Sequence, residues 1–172
     1  MPEARAFDAV ALLAVLERHG VDYVLIGGFA ATVHGSPLLT RDVDVTPSRE
    51  VPSLERLSAA LTELDARVRV AGEPDGLPFS HDATSLAAAT TWNLTTRYGD
   101  LDIAFTPSGT RGYHDLLRDS RPTDIGGLRV RVASLADVVR SKEAAGRPKD
   151  RRSLPILREI LERTQPDERP PP

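Results

Sequence analysis

Cysteine is absent from the 172 residues, which excludes disulfide bonds and thiolate metal sites. That composition suits the cytoplasm without requiring it. Aromatic residues are scarce, at 5%, so the core must rest on aliphatic side chains. No apolar run approaches the roughly 18 residues of a membrane span, and no charged-then-apolar leader is read ahead of the first helix. His19, His34, His81 and His114 are too dispersed for the close ligand spacing of a zinc site. A net charge of only −3 argues against a generally basic nucleic-acid binder.

What is present is better organised than these bounds suggest. The length fits one domain, or one with a small helical appendage. Between Arg140 and Arg152 six basic residues stand against two acids, a local +4, so the rest of the chain carries −7. A basic patch on an acidic body is suited to phosphates, although a solvated helix face has the same composition.

Apolar positions repeat at helical spacing over 7–18, with Gly20 as a stop, and 22–26 reads as a buried strand. Gly27-Gly28 makes a turn into a short helix over 29–33, and a strand follows at 41–45. An amphipathic helix covers 51–64 and a short strand holds Val68 and Val70. The stretch AGEPDGLPFSHDA reads as a surface loop. TWNLTTRYGDLDIAF reads as a hairpin, 111–118 as a helix, and Gly126-Gly127 as a second hairpin turn. Ser134 and Asp137 form a capping box ahead of a helix running to Ala145. A last helix covers 149–163, with Pro155 as a kink or restart, and the tail QPDERPPP reads as disordered. These boundaries divide the chain into a core over 1–133, a helical segment over 134–164 and a tail over 165–172.

The chemistry concentrates in the strands DVDV and DLDIAF. Alternation at period two puts Asp42 and Asp44 on one face, roughly 7 Å apart along the backbone, and Val43 and Val45 on the other. Asp102, with Asp100 beside it, has the same pattern. If the strands are neighbours, three carboxylates converge. Unit charges about 4 Å apart repel by about 4 kcal/mol at an effective dielectric of 20. No lysine or arginine is read on that face to relieve them, whereas Mg²⁺ suits a few carboxylates combined with substrate phosphates. The glycine pair at a strand-to-helix junction lets backbone N–H groups approach a phosphate.

Together, IGGFAATVHGSPLLTRDVDV and GDLDIAF resemble the DNA polymerase-β-like nucleotidyltransferase superfamily. The resemblance implies an α+β fold, a small mixed sheet flanked by helices with a C-terminal helical segment. It implies Asp42, Asp44 and Asp102 as metal ligands and catalytic acids, and Gly27 and Gly28 at the nucleotide phosphates. The family's frequent Ser after the first glycine is Gly28 here. SKEAAGRPKDRRSLPIL further resembles AbiEii-like and MenT-type toxin nucleotidyltransferases, which implies Lys142 and Asp150 in the catalytic set. Ser153 stands where those proteins commonly carry another acid. Lys142 and Arg147 are assigned to the nucleotide, and Lys149, Arg151 and Arg152 extend the basic rim.

These resemblances imply a Mg²⁺-dependent transferase moving a nucleoside monophosphate from an NTP to a hydroxyl, foremost the 3′ end of tRNA, as a toxin. A protein or an aminoglycoside are other acceptors, and the alternative is an antitoxin-like or binding module without transfer activity. A cognate antitoxin acting by modification would target Thr40 or Ser36. His34 is either a helix-end residue or a nucleotide contact. Trp92 and Tyr98 either stack a base or belong to the core.

Overall fold

A computed structural model of the chain describes residues 6–164. The tail over 165–172 lies outside the described residues. Seven helices and eight strands follow one another along the described chain. In order they are α1 (Ala9–Arg18), β1 (Tyr23–Ile26), α2 (Gly27–Val33), β2 (Asp42–Pro47), α3 (Val51–Glu63), β3 (Arg67–Val70), β4 (Glu73–Leu77) and α4 (Ala83–Ala88). After these come β5 (Thr91–Thr96), β6 (Gly99–Ala104), α5 (Tyr113–Asp119), β7 (Arg121–Ile125), β8 (Leu128–Val132), α6 (Leu135–Ala145) and α7 (Pro148–Thr164). No described helix is long and apolar enough to cross a membrane.

The strands form one mixed sheet in the order β4-β3-β5-β6-β2-β1-β8-β7. Two pairings are parallel, β2 with β6 and β1 with β8; the others are antiparallel. The expected α+β class and mixed sheet are therefore present. Alternation gives the sheet two different faces. Val43, Val45, Leu101 and Ile103 are buried in one cluster with Leu12, Leu16, Leu57 and Leu61 from α1 and α3. Each such side chain contributes about 1.5–3 kcal/mol when fully buried. The other face carries the aspartates, and helices α2 and α6 pack together beside it.

Two expectations are corrected. The segment read as a surface loop contains edge strand β4 and the start of α4. Its turn-forming residues fit because β4 has only one neighbour: Pro74 sits on an edge strand, where a missing donor is tolerated. Gly76, at φ +68, lies so close to β3 that an added Cβ would stand 2.8 Å from the Val68 carbonyl oxygen. Asp82 then caps α4 in a reciprocal box with Ser85. The second correction concerns the restart read as one alternative at Pro155: α7 continues through that residue, which is exposed.

Candidate active site

β1 ends against β2 with Ile26 facing Asp44, so the chain enters α2 directly beside that carboxylate. Gly27 has φ +70, and a Cβ there would lie 2.3 Å from Asp44 Oδ2. Only a glycine meets both conditions. Gly28 has an ordinary φ, but a Cβ on it would stand 3.2 Å from the Thr40 hydroxyl oxygen, so Thr40 fills the space a side chain at 28 would enter. Both glycines are thus set by neighbouring side chains as well as by the turn.

β2 and β6 lie side by side in register, Asp42 opposite Asp100 and Asp44 opposite Asp102. The convergence expected of Asp42, Asp44 and Asp102 is observed: each offers an oxygen, and these oxygens lie within 4.8 Å of one another. Each carboxylate is held differently. Asp42 Oδ1 accepts from the Thr40 hydroxyl at 2.7 Å. Asp102 Oδ1 accepts from Arg69 Nη2 at 2.6 Å. Asp44 accepts no hydrogen bond among the described residues, and burial with the charges of Asp42 and Asp102 pushes its pKa up to about 7, against the opposing pull of Lys149 and Lys142. Asp102 also lies above the usual carboxylate range, because burial and Asp42 outweigh Arg69. Half-buried carboxylates gathered this closely, with Asp44 and Asp102 held above their usual range, mark a place for positive charge. The three side chains fit a divalent cation.

The expectation that no arginine reaches this face is overturned. Arg69 of β3 crosses β5 to pair with both Asp100 and Asp102. Its alternation with Val68 and Val70 is visible in the sequence, but its partners lie two strands away.

The aspartates floor a cleft of about 670 Å³. Gly27, Gly28, Ser36, Leu38 and Thr40 line one side; Lys142, Arg147, Lys149 and Ser153 line the α6–α7 side. Asn93 extends the floor onto β5. The catalytic set expected from sequence is therefore gathered with one exception. Asp150 is completely buried and does not line the cleft. It accepts from Lys142 Nζ at 3.3 Å, Arg147 Nε at 2.7 Å and the Arg147 backbone N–H at 3.2 Å. Burial raises the Asp150 pKa, but Arg147 and Lys142 outweigh it and leave the carboxyl below its usual range. Asp150 thus anchors Lys142 and Arg147, two of the cations that line the cleft.

The basic patch is smaller than its sequence count. Arg140 is withdrawn into a network with buried Asp115 and Asp137, at 3.0 and 2.9 Å. Lys142 and Arg147 share Asp150, while Lys149, Arg151 and Arg152 are exposed. His34 is a helix-end residue: it caps α2, and its Nε2 donates to the Ala133 carbonyl at 2.7 Å. Trp92 belongs to the opposite face, donating to the Leu86 carbonyl and stacking on Phe79. Tyr98 is likewise partly buried against the core.

No protein-family model matches the chain, and no curated relative does. Solved structures do. A candidate nucleotidyltransferase from Thermotoga maritima aligns over 94% of this chain and 99% of its own, with 16% identity and a TM-score of 0.52. The lincosamide antibiotic adenylyltransferase LnuA, with lincomycin bound, aligns over 90% and 99%, with 15% identity and a TM-score of 0.59. ANT(2'')-Ia in complex with adenylyl-2''-tobramycin aligns over 87% and 85%, with 18% identity and a TM-score of 0.53. The chain has the nucleotidyltransferase fold.

Proposed function

We propose that this chain transfers a nucleoside monophosphate from an NTP to an acceptor hydroxyl, releasing pyrophosphate. The observation that carries the reading is the in-register cluster of Asp42, Asp44 and Asp102 facing Lys142, Arg147 and Lys149 across one cleft. Mg²⁺ held by the three aspartates, when bound, would neutralise charge on the transferred phosphoryl group. Lys142 and Arg147 bind the NTP phosphates, and buried Asp150 positions both. The backbone N–H groups of Gly27 and Gly28, beside Asp44 at the start of α2, donate to phosphate oxygens. The acceptor oxygen bonds to the α-phosphorus, the α–β bridging bond breaks, and pyrophosphate carries off that electron pair. Asp102, the carboxylate contributed by the neighbouring strand β6, takes the acceptor proton.

For the acceptor, the tail resemblance and exposed Lys149, Arg151 and Arg152 favour the 3′ end of tRNA, with the chain acting as a toxin. Phosphate-dominated binding of that kind weakens steeply with salt. A small antibiotic hydroxyl is the second reading, favoured by the fold shared with LnuA and ANT(2'')-Ia. An antitoxin that modifies the chain has its best target at Thr40, whose hydroxyl binds Asp42; Ser36 is buried in the cleft wall. Full activity in Thr40→Glu would count against that control.

The test incubates protein with Mg²⁺, each α-labelled NTP, and in turn total tRNA, an aminoglycoside and a lincosamide. Wild type is run against Asp44→Asn and Lys142→Ala. Label in tRNA that disappears in both variants supports the first reading, and label in an antibiotic supports the second. No transfer to any acceptor together with no NTP binding overturns both, leaving a binding module.

A further inference from the structure

Four aspartates share the cleft face of β2 and β6, yet three cluster and the fourth does not. The difference lies two strands away. Arg67 faces Thr95 and Val68 faces Leu94, while Thr95 faces Asp100 and Asn93 faces Asp102. Alternation therefore turns Arg69 toward the aspartates. Two interstrand spacings make roughly 10 Å from β3 to β6, a span suited to the long arginine side chain. Arg69 Nη1 lies 2.7 Å from Asp100 Oδ2, and Nη2 lies 2.6 Å from Asp102 Oδ1. The inner carboxylate is the better shielded, with the Asp102 side chain 20% exposed against 39% for Asp100.

We propose that Arg69 is a positioning residue of the site. It draws Asp100 out of the cluster and fixes Asp102 through one oxygen, leaving the second oxygen for the cation shared with Asp42 and Asp44. The inference rests on the nucleotidyl-transfer reading above. A guanidinium does this because its planar fork addresses two carboxylates at once; an ammonium is a point charge without a second arm. Asp100 is then the anchor that keeps the fork in place.

Mn²⁺ binding to the metal-free full chain, followed by electron paramagnetic resonance of the free ion, tests this without any turnover. Wild type binds and Asp44→Asn does not. Arg69→Gln weakens binding ten- to hundredfold, the range found when a residue supporting a metal ligand is removed. Arg69→Lys recovers part of the loss, and Asp100→Asn weakens binding less than Arg69→Gln. The double variant Arg69→Gln/Asp100→Asn binds no more weakly than Arg69→Gln alone, because both changes break one unit. An Arg69→Gln protein that melts earlier but binds Mn²⁺ within twofold of wild type overturns the proposal. So do losses that add in the double variant. Should Arg69→Gln fail to fold, Arg69→Lys and Asp100→Asn decide: unchanged affinity in both overturns it. A wild type that binds no Mn²⁺ defeats the nucleotidyl-transfer reading itself, a result distinct from a failure of Arg69 alone.

Discussion

The DVD of β2 and the DLD of β6 run side by side with one aspartate opposite another, yet the two pairs enter different chemistry. Both acids of β2 join the cluster, each held from nearby: Asp42 by Thr40 two residues earlier, Asp44 by close packing on the bare backbone of Gly27. In β6 the pair divides, because Arg69 bonds both acids and only Asp102 keeps an oxygen near the others. Spacing alone does not decide whether a carboxylate is a ligand. Its neighbours on the next strands decide.

If the two pairs were equivalent, losing one acid from either would cost the same. We expect Asp44→Asn to lower the transfer rate by about 10³-fold, near the upper range for removing one electrostatic partner of a transition state. Asp100→Asn, outside the cluster, should cost about tenfold. Single-turnover transfer from labelled NTP measures both, and equal losses would erase the distinction.

The next effect concerns pH. The Asp44 pKa is raised from 3.8 to about 7, so between those values the native protein keeps a proton that the unfolded chain has released. Stability of the metal-free protein must therefore fall as pH rises through that window, by at most about 4 kcal/mol at 1.36 kcal/mol per pKa unit. Asp102, also raised, acts in the same direction. Urea unfolding in a chelator should show a lower midpoint at pH 8 than at pH 5.5. Saturating Mg²⁺ and, separately, Asp44→Asn should each remove most of the difference. A metal-free midpoint that does not change between these pH values would mean the β2 acids are not crowded.

Gly27→Ala attacks the other support of β2. The new methyl meets Asp44 Oδ2 at 2.3 Å in a backbone at φ +70, so strain and overlap together should cost about 2–3 kcal/mol and displace the carboxylate. Gly28→Ala, with 3.2 Å to the Thr40 hydroxyl oxygen and an ordinary φ, should cost under about 1 kcal/mol. Unfolding in denaturant separates the two, and equal costs would show that Gly27 does not brace Asp44.

The same division between near and far explains what could be read from sequence. DVDV, DLDIAF and the glycine pair announce themselves because alternation and turn chemistry are local. The convergence of Asp42, Asp44 and Asp102 needed only that β2 and β6 be neighbours, which they are. Arg69 could not be placed in this way, because its reach to Asp102 depends on β5 lying between β3 and β6. The signal was the alternating arginines of RVRV. Asp150 looked like a cleft acid until the turn between α6 and α7 placed it under Lys142 and Arg147, and Arg140 was counted into a surface patch although it reaches Asp115 on another helix. The loop assigned over β4 failed for a related reason: pairing with β3 overrode a local composition rich in turn formers.

The smallest expected effect tests the local support of Asp42. Thr40→Val keeps the shape and β-branching of the side chain and removes only the hydroxyl that donates to Asp42 Oδ1 at 2.7 Å. A hydrogen bond to a charged group contributes about 1.5–3 kcal/mol, but a carboxylate facing a cleft can accept from water instead. The net loss should therefore be near 1 kcal/mol, about fivefold in transfer rate, with the KM for NTP little changed. The same readout on Arg69→Gln should show a larger loss, since no water replaces a fork that also holds Asp100 away. A Thr40→Val loss as large as that of Arg69→Gln would mean that the two strands depend equally on their neighbours, and that the contrast between DVD and DLD lies in their exposure to solvent instead.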